Sequence, residues 1–177
     1  MTTEKWDVDA VHSSVGFTVR HMVVAKVHGQ FTKWSANLAL DTDDLTRSQI
    51  DVHIDAASID TRDEKRDAHL KSADFLDVEK SPEISFKGTR VEKARGDAYR
   101  VVGDLTIRGV KREVVLDVEF GGRAKDPWGG ERVGFTAKSK IDRKEFGLQW
   151  NAALETGGVL VGETVDITIE VEAKKAT

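Results

Sequence analysis

Val165-Asp166-Ile167-Thr168-Ile169-Glu170-Val171-Glu172 sets an apolar side chain at every second position and a polar one between. Successive side chains of an extended strand point to opposite faces, so this stretch predicts a strand with one apolar and one wet face. The same alternation recurs in Ile50, Val52, Ile54 and Ala56, set against Gln49, Asp51, His53 and Asp55. Val114, Leu116, Val118 and Phe120 follow it, as do Trp34-Ala36-Leu38-Leu40 (every second residue) and Val15-Phe17-Val19. With only two prolines in the chain, the pattern indicates an all-β protein. Strands with one solvated face suit an antiparallel sheet.

The reading gives eight such strands, over residues 14–22, 27–41, 48–57, 83–93, 98–108, 111–124, 131–142 and 163–174, after a short first one at 5–8. Several are long against the usual five or six residues or so, and long antiparallel strands with one apolar face pack as a sandwich or close into a barrel. Turns are expected at Arg95-Gly96-Asp97, Arg108-Gly109-Val110 and Asp126-Pro127-Trp128-Gly129-Gly130. No linker, repeat or low-complexity tract interrupts the series, so residues 1–177 read as one domain.

One segment departs from period two. Thr61-Arg62-Asp63-Glu64 matches a capping box, with a helix running to about Ala73. Arg66, His69, Leu70 and Ala73 would then share a face. A second short helix or loop, Arg143 to Ala153, carries Phe146, Leu148 and Trp150.

The 39% of hydrophobic residues, spread along the chain, can form a core. A net charge of -4 gives no electrostatic case for nucleic acid or an anionic membrane, each of which needs a concentrated positive face. The absence of cysteine excludes disulfides, Cys-zinc sites and thiol catalysis. The start, Met1-Thr2-Thr3-Glu4-Lys5-Trp6, lacks the basic and apolar runs of a secretory signal, and no stretch approaches the roughly 18 apolar residues of a membrane helix. A cytoplasmic location is the expectation.

The histidines divide by face. His53 lies on a polar face and reads as a solvent residue; His28, before Gly29, is assigned no role. His12, beside Ser13, would tie a turn to the sheet. His21 shares a face with Val15, Phe17 and Val19, and is either a hydrogen-bonded core residue or a polar group in a cavity. No His-x-x-x-His or His-x-His pair is present, so no metal is expected. Asp41-Thr42-Asp43-Asp44 begins like a calcium loop but lacks the later glycine and glutamate. No nucleophile elbow or dinucleotide loop appears, so no catalytic residue and no cofactor is assigned. Arg62, Arg66 and His69 form either an oxyanion-holding face or an ordinary solvated helix face balanced by Asp63, Glu64 and Asp67.

Several motifs in order then resemble the YceI-like family. They are Trp6-Asp7-Val8-Asp9 with His12-Ser13, Phe17, His21 and Gly29-Gln30-Phe31; Thr61 with Arg66-Asp67, His69-Leu70 and Phe75; and Pro82-Glu83-Ile84-Ser85-Phe86. Gly103 to Arg112 and Arg143 with Phe146-Gly147 complete the set. The resemblance spans nearly the whole chain. It implies an eight-stranded antiparallel, lipocalin-like β-barrel with one or two short helices, a homodimer, and a polyisoprenoid or similar long amphiphile held in the lumen. Many relatives carry a secretory signal, and none is read here.

On that basis Phe17, Val19, Trp34, Leu38, Ile50, Val52, Phe86, Leu105 and Phe135 are expected to line the lumen, although the same residues would fill a closed core. His21, Phe31, Phe75, Phe146 and Trp150 join the expected ligand-binding set, with Arg66 and His69 toward the polar end. Transport or storage of a polyprenyl lipid leads the readings. Its rivals are an enzyme acting on such a lipid, and a stress-related interaction module with a filled core.

Overall fold

The structure is a computed structural model that describes residues 3–152, 154 and 160–177. Its strands are β1 (Glu4–Val8), β2 (Ser14–His21), β3 (Ala25–Phe31), β4 (Trp34–Leu40), β5 (Gln49–Asp55), β6 (Ile59–Asp60), β7 (Glu83–Lys93), β8 (Ala98–Ile107), β9 (Val110–Lys125), β10 (Glu131–Asp142) and β11 (Val161–Lys175). Among the described residues a single α-helix, α1 (Glu64–Lys71), lies between β6 and β7.

These segments make eight staves, all paired antiparallel. β1 and β2 lie on the same edge of β11, at Val8↔Ala173 and Ser14↔Glu170. They are two halves of one stave, broken by a 3-10 turn at Ala10–His12. β3 and β4 are the next stave, pairing with β2 and β1 in turn; β5 and β6 pair with β4 and β3. β7 to β11 are continuous, and β11 closes the ring against the first stave. An eight-stranded antiparallel barrel results, as the family resemblance implied, and closure removes the free edges.

The expected strand 27–41 is two strands with a corner at Thr32-Lys33. There the Thr32 amide donates to the Ser58 carbonyl (3.1 Å) and the Asp55 amide to the Lys33 carbonyl (3.0 Å). The neighbouring staves break at Ala10–His12 and Ala56–Ser58. Long strands that curl into a barrel need such corners, and alternation alone does not mark them. The turn at Arg108-Gly109 (φ 52 and 74) joins Ile107 to its partner Val110, a two-residue hairpin of the favoured primed kind.

The helix starts differently from expectation. Asp63, not Thr61, is its N-cap, accepting from the amides of Lys65 and Arg66 (both 3.1 Å). Aspartate is a better cap than threonine. The Thr61 hydroxyl bonds instead to the Asp67 carboxylate and accepts from Arg66 Nε (2.8 Å). The helix ends at Lys71, so Ala73 lies beyond it and is exposed. The segment expected from Arg143 to Ala153 contains a 3-10 turn at Arg143–Phe146, stopped by Gly147 (φ 80); Ala153 lies outside the described residues.

Two apolar clusters form. One packs Trp6, Leu38, Leu40, Val133 and Ala173 solidly at one end of the barrel. The other includes Ile59, Phe75, Leu76, Ile107, Phe146 and Leu148 beneath α1, and grades into half-buried side chains such as Phe17, Trp34 and Val52.

Candidate ligand-binding lumen

The half-buried side chains surround a cavity of about 650 Å³ inside the barrel. β2 contributes Phe17, Val19 and His21 at alternate positions, β4 Trp34 and Leu38, and β5 Ile50 and Val52. Phe31, Phe86, Leu105 and Phe135 come from β3, β7, β8 and β10. Each lies on the inward face that its strand's period-two pattern defines. His21 therefore lies on the cavity side of β2.

Two rings are accommodated by glycines on the neighbouring strand. The Phe17 ring lies over Gly29, its direct cross-strand partner, and the Phe86 ring over Gly103. A Cβ at either glycine would overlap the ring. The rings therefore lie along the wall rather than across the lumen.

An aromatic group lines the cavity on the α1 side. His69, Phe75 and Trp150 line the cavity with ring centres 4.6 to 5.5 Å apart. Leu70 lines it from the same helix, whereas the expected companion Ala73 does not. Phe146 is a correction as well: it is 0% exposed, packed into the cluster beneath α1, and absent from the cavity wall. It follows the buried Arg143 in a tight 3-10 turn, which turns its ring into the solid core.

Polar groups touching the cavity are few and mostly held by the protein. Arg66 Nε and Nη2 donate to the hydroxyl and carbonyl of Thr61 (both 2.8 Å). His69 Nε2 pairs with Asp74 (2.8 Å). Of the exposed residues on the lining, Arg20 belongs to β2, Asp63 caps α1 and Lys65 is on α1, so the cavity meets solvent between β2 and the start of the helix.

Arg143 was missed as a site residue, although its motif with Phe146-Gly147 had been noticed. It is 3% exposed and lines the cavity. Its guanidinium donates to the carbonyls of Gly162 (2.8 Å), Leu148 (2.5 Å), Trp150 (3.0 Å) and Val161 (3.3 Å). Burial pulls its pKa below the ordinary arginine value, while Glu163 and Asp142 act in the opposite direction. It thus fastens the start of β11 to the segment carrying Trp150.

Outside the lumen, His12 sits at the break between β1 and β2. Its Nδ1 lies 2.8 Å from Asp9 and 3.5 Å from Glu172. These three residues could converge on a cation. Arg132 already places Nη1 2.8 Å from Asp9 and 3.1 Å from Glu172, supplying positive charge there. The hydrogen bond with His12 is the largest cause holding Asp9 down at about 2, and His12 is raised by the same bond. As expected, His12 and Ser13 tie this turn to β11, Ser13 Oγ accepting from the Glu172 amide (3.0 Å). His53 bonds to Glu83 and His28 to Thr18, both on the outer surface.

The chain is thus a closed antiparallel β-barrel with an apolar lumen and polar side chains at its opening. The YceI-like domain family matches residues 6–173, and the chain belongs to it. A Staphylococcus epidermidis protein called UPF0312 protein is 38% identical over 169 residues, covering 95% of this chain and 96% of that one. The crystal structure of Burkholderia cenocepacia BcnA superposes with a TM-score of 0.83 at 25% identity, covering 97% of this chain and all of that one. A polyisoprenoid binding domain from Saccharophagus degradans shares the fold, with a TM-score of 0.66 at 13% identity over 97% of this chain and 98% of that one.

Proposed function

We propose that this protein carries or stores a long apolar lipid, a polyisoprenoid or similar long-chain amphiphile, in the barrel lumen. The observation that carries the reading is the cavity of about 650 Å³ with walls almost entirely of carbon. At about 30 Å³ per water-sized group, that space takes a chain of roughly twenty heavy atoms. Each buried methylene contributes about 0.8 kcal/mol, so such a chain needs no charged partner within the lumen. The Saccharophagus degradans domain, described as binding polyisoprenoid, supports the reading through its fold.

The polar end of the ligand belongs at the rim, where Arg66 and His69 lie. Binding rather than turnover fits these groups, since Arg66, His69 and Arg143 are each committed to protein partners. Mass spectrometry of lipid extracted from natively purified protein tests the proposal. A defined prenyl or long-chain species at near-stoichiometric yield is expected. Protein that yields no lipid, and takes up none after delipidation, would contradict it.

A further inference from the structure

The hairpin between β2 and β3 ends in Met22-Val23-Val24, and its tip carries three unfavourable features at once. Met22, Val23 and Val24 are 47%, 55% and 86% exposed, an uninterrupted apolar triplet in solvent. Met22 and Val23 hold φ of 53 and 66, a left-handed conformation that costs a β-branched residue most. Just below the tip Arg20 sits directly across from Lys26, and like charges opposite one another destabilise a strand pair. Glu163 on β11 is already held by Lys144 (2.7 Å), and no salt bridge among the described residues involves Arg20 or Lys26.

The same hairpin forms one side of the opening. Arg20 and His21 line the cavity, and the other side of the rim carries Asp63 and Lys65. We infer that this hairpin tip docks on a lipid bilayer, with the triplet entering the acyl boundary and Arg20 and Lys26 meeting lipid phosphates. The opening would then face the membrane from which the lumen is filled. This rests on the carrier reading above. A bilayer matches all three features: it buries the apolar triplet, holds a strained turn, and neutralises the paired cations. The overall charge of -4 opposes an anionic surface only weakly at this distance, because salt screens beyond about 10 Å.

The test is sedimentation of the full chain with phosphatidylcholine vesicles, with and without added phosphatidylglycerol. A Met22→Asn/Val23→Gly/Val24→Ser variant replaces the tip with residues suited to left-handed backbone, so it should fold and melt no lower than wild type. It should lose vesicle association by about tenfold or more. Arg20→Gln/Lys26→Gln should lose about fivefold per charge on phosphatidylglycerol vesicles and little on phosphatidylcholine alone. Uptake of a polyprenol offered in detergent should survive in the triple variant, whose three residues lie outside the cavity lining. Equal vesicle binding by wild type and the triple variant would overturn the inference. So would a wild type that ignores vesicles but forms a dimer lost in the triple variant, which would assign the tip to a second copy. Wild type that loads from detergent yet ignores vesicles refutes docking alone, whereas failure to load from detergent refutes the carrier reading.

Discussion

Trp6 and Phe86 both project from barrel strands into apolar surroundings, yet one ends in a solid plug and the other on the wall of a cavity. Trp6 is 1% exposed and packs against Leu38, Leu40, Val133 and Ala173. Its indole reaches inward and fills its end of the barrel. Phe86 is held along the wall because Gly103 leaves room for its ring, as Gly29 does for Phe17. Alternation places both residues inside. Whether the inside is full or hollow depends on where the large rings lie, and neighbouring glycines decide that.

Breaking the solid end should have the largest effect. Trp6→Ala is expected to cost about 3–5 kcal/mol of stability by denaturant unfolding. Val19→Ala, on the cavity wall, should cost about 1 kcal/mol, because that side chain already faces open space. Equal losses would mean that the lumen is packed as tightly as the plug.

Arg66→Ala comes next. It removes the two bonds to Thr61 and should cost about 1–2 kcal/mol. The start of α1 would loosen, so bound lipid should exchange faster in a displacement assay. Comparing prenyl phosphate with the matching prenyl alcohol separates two roles. Loss of preference for the phosphate alone makes Arg66 a head-group residue; equal weakening of both makes it a structural one.

The hollow region is sharpened by Gly29→Ala. The added methyl meets the Phe17 ring first, and that ring borders the lumen into which it can swing. Stability should change by less than about 1 kcal/mol, while the longest lipid chain accepted becomes shorter. Mass spectrometry of the bound species reads that directly. An unchanged lipid profile would show that the glycine does not set the width.

The smallest effect is the pH dependence of the clamp beside the plug. His12, raised in the fold, contributes fully below its ordinary value of 6.5, and the contribution fades as pH climbs through the raised value. Asp9, lowered from 3.8 to about 2, contributes above 3.8 and loses that contribution as pH falls toward 2. The clamp is therefore strongest between about pH 4 and 6.5. Melting curves of wild type and His12→Gln should differ most in that window and converge at alkaline pH. Because His12 is exposed, the difference should be slight.

Much of the barrel was legible because period two in Val165 to Glu172 or Ile50 to Ala56 records a strand with one buried face. The inward positions of Phe17, Phe86 and Phe135 follow from the same pattern. The corner at Thr32-Lys33 was not legible, since curling of the sheet imposes it and alternation passes through it unbroken. The helix cap moved from Thr61 to Asp63 because two capping side chains competed within three residues, and Thr61 had another partner in Asp67. Phe146 was expected in the lumen on the strength of the resemblance but is turned away by the bend that buries Arg143. The cavity itself was invisible to sequence patterning. The same side chains would line or fill, and the choice rests on ring placement across strands far apart in sequence.

The four tryptophans allow the central claim to be tested directly. Trp34 and Trp150 line the cavity, Trp6 is in the plug and Trp128 is 83% exposed on a turn. Four variants, each keeping one tryptophan and replacing the others with phenylalanine, would be delipidated and titrated with a brominated long-chain prenol while fluorescence is recorded. Saturable quenching of Trp34 and Trp150, with Trp6 and Trp128 little affected, is the predicted result. Quenching of Trp6 or Trp128 as strong as that of Trp34, or no saturable quenching anywhere, would contradict a lipid chain held in the hollow part of the barrel.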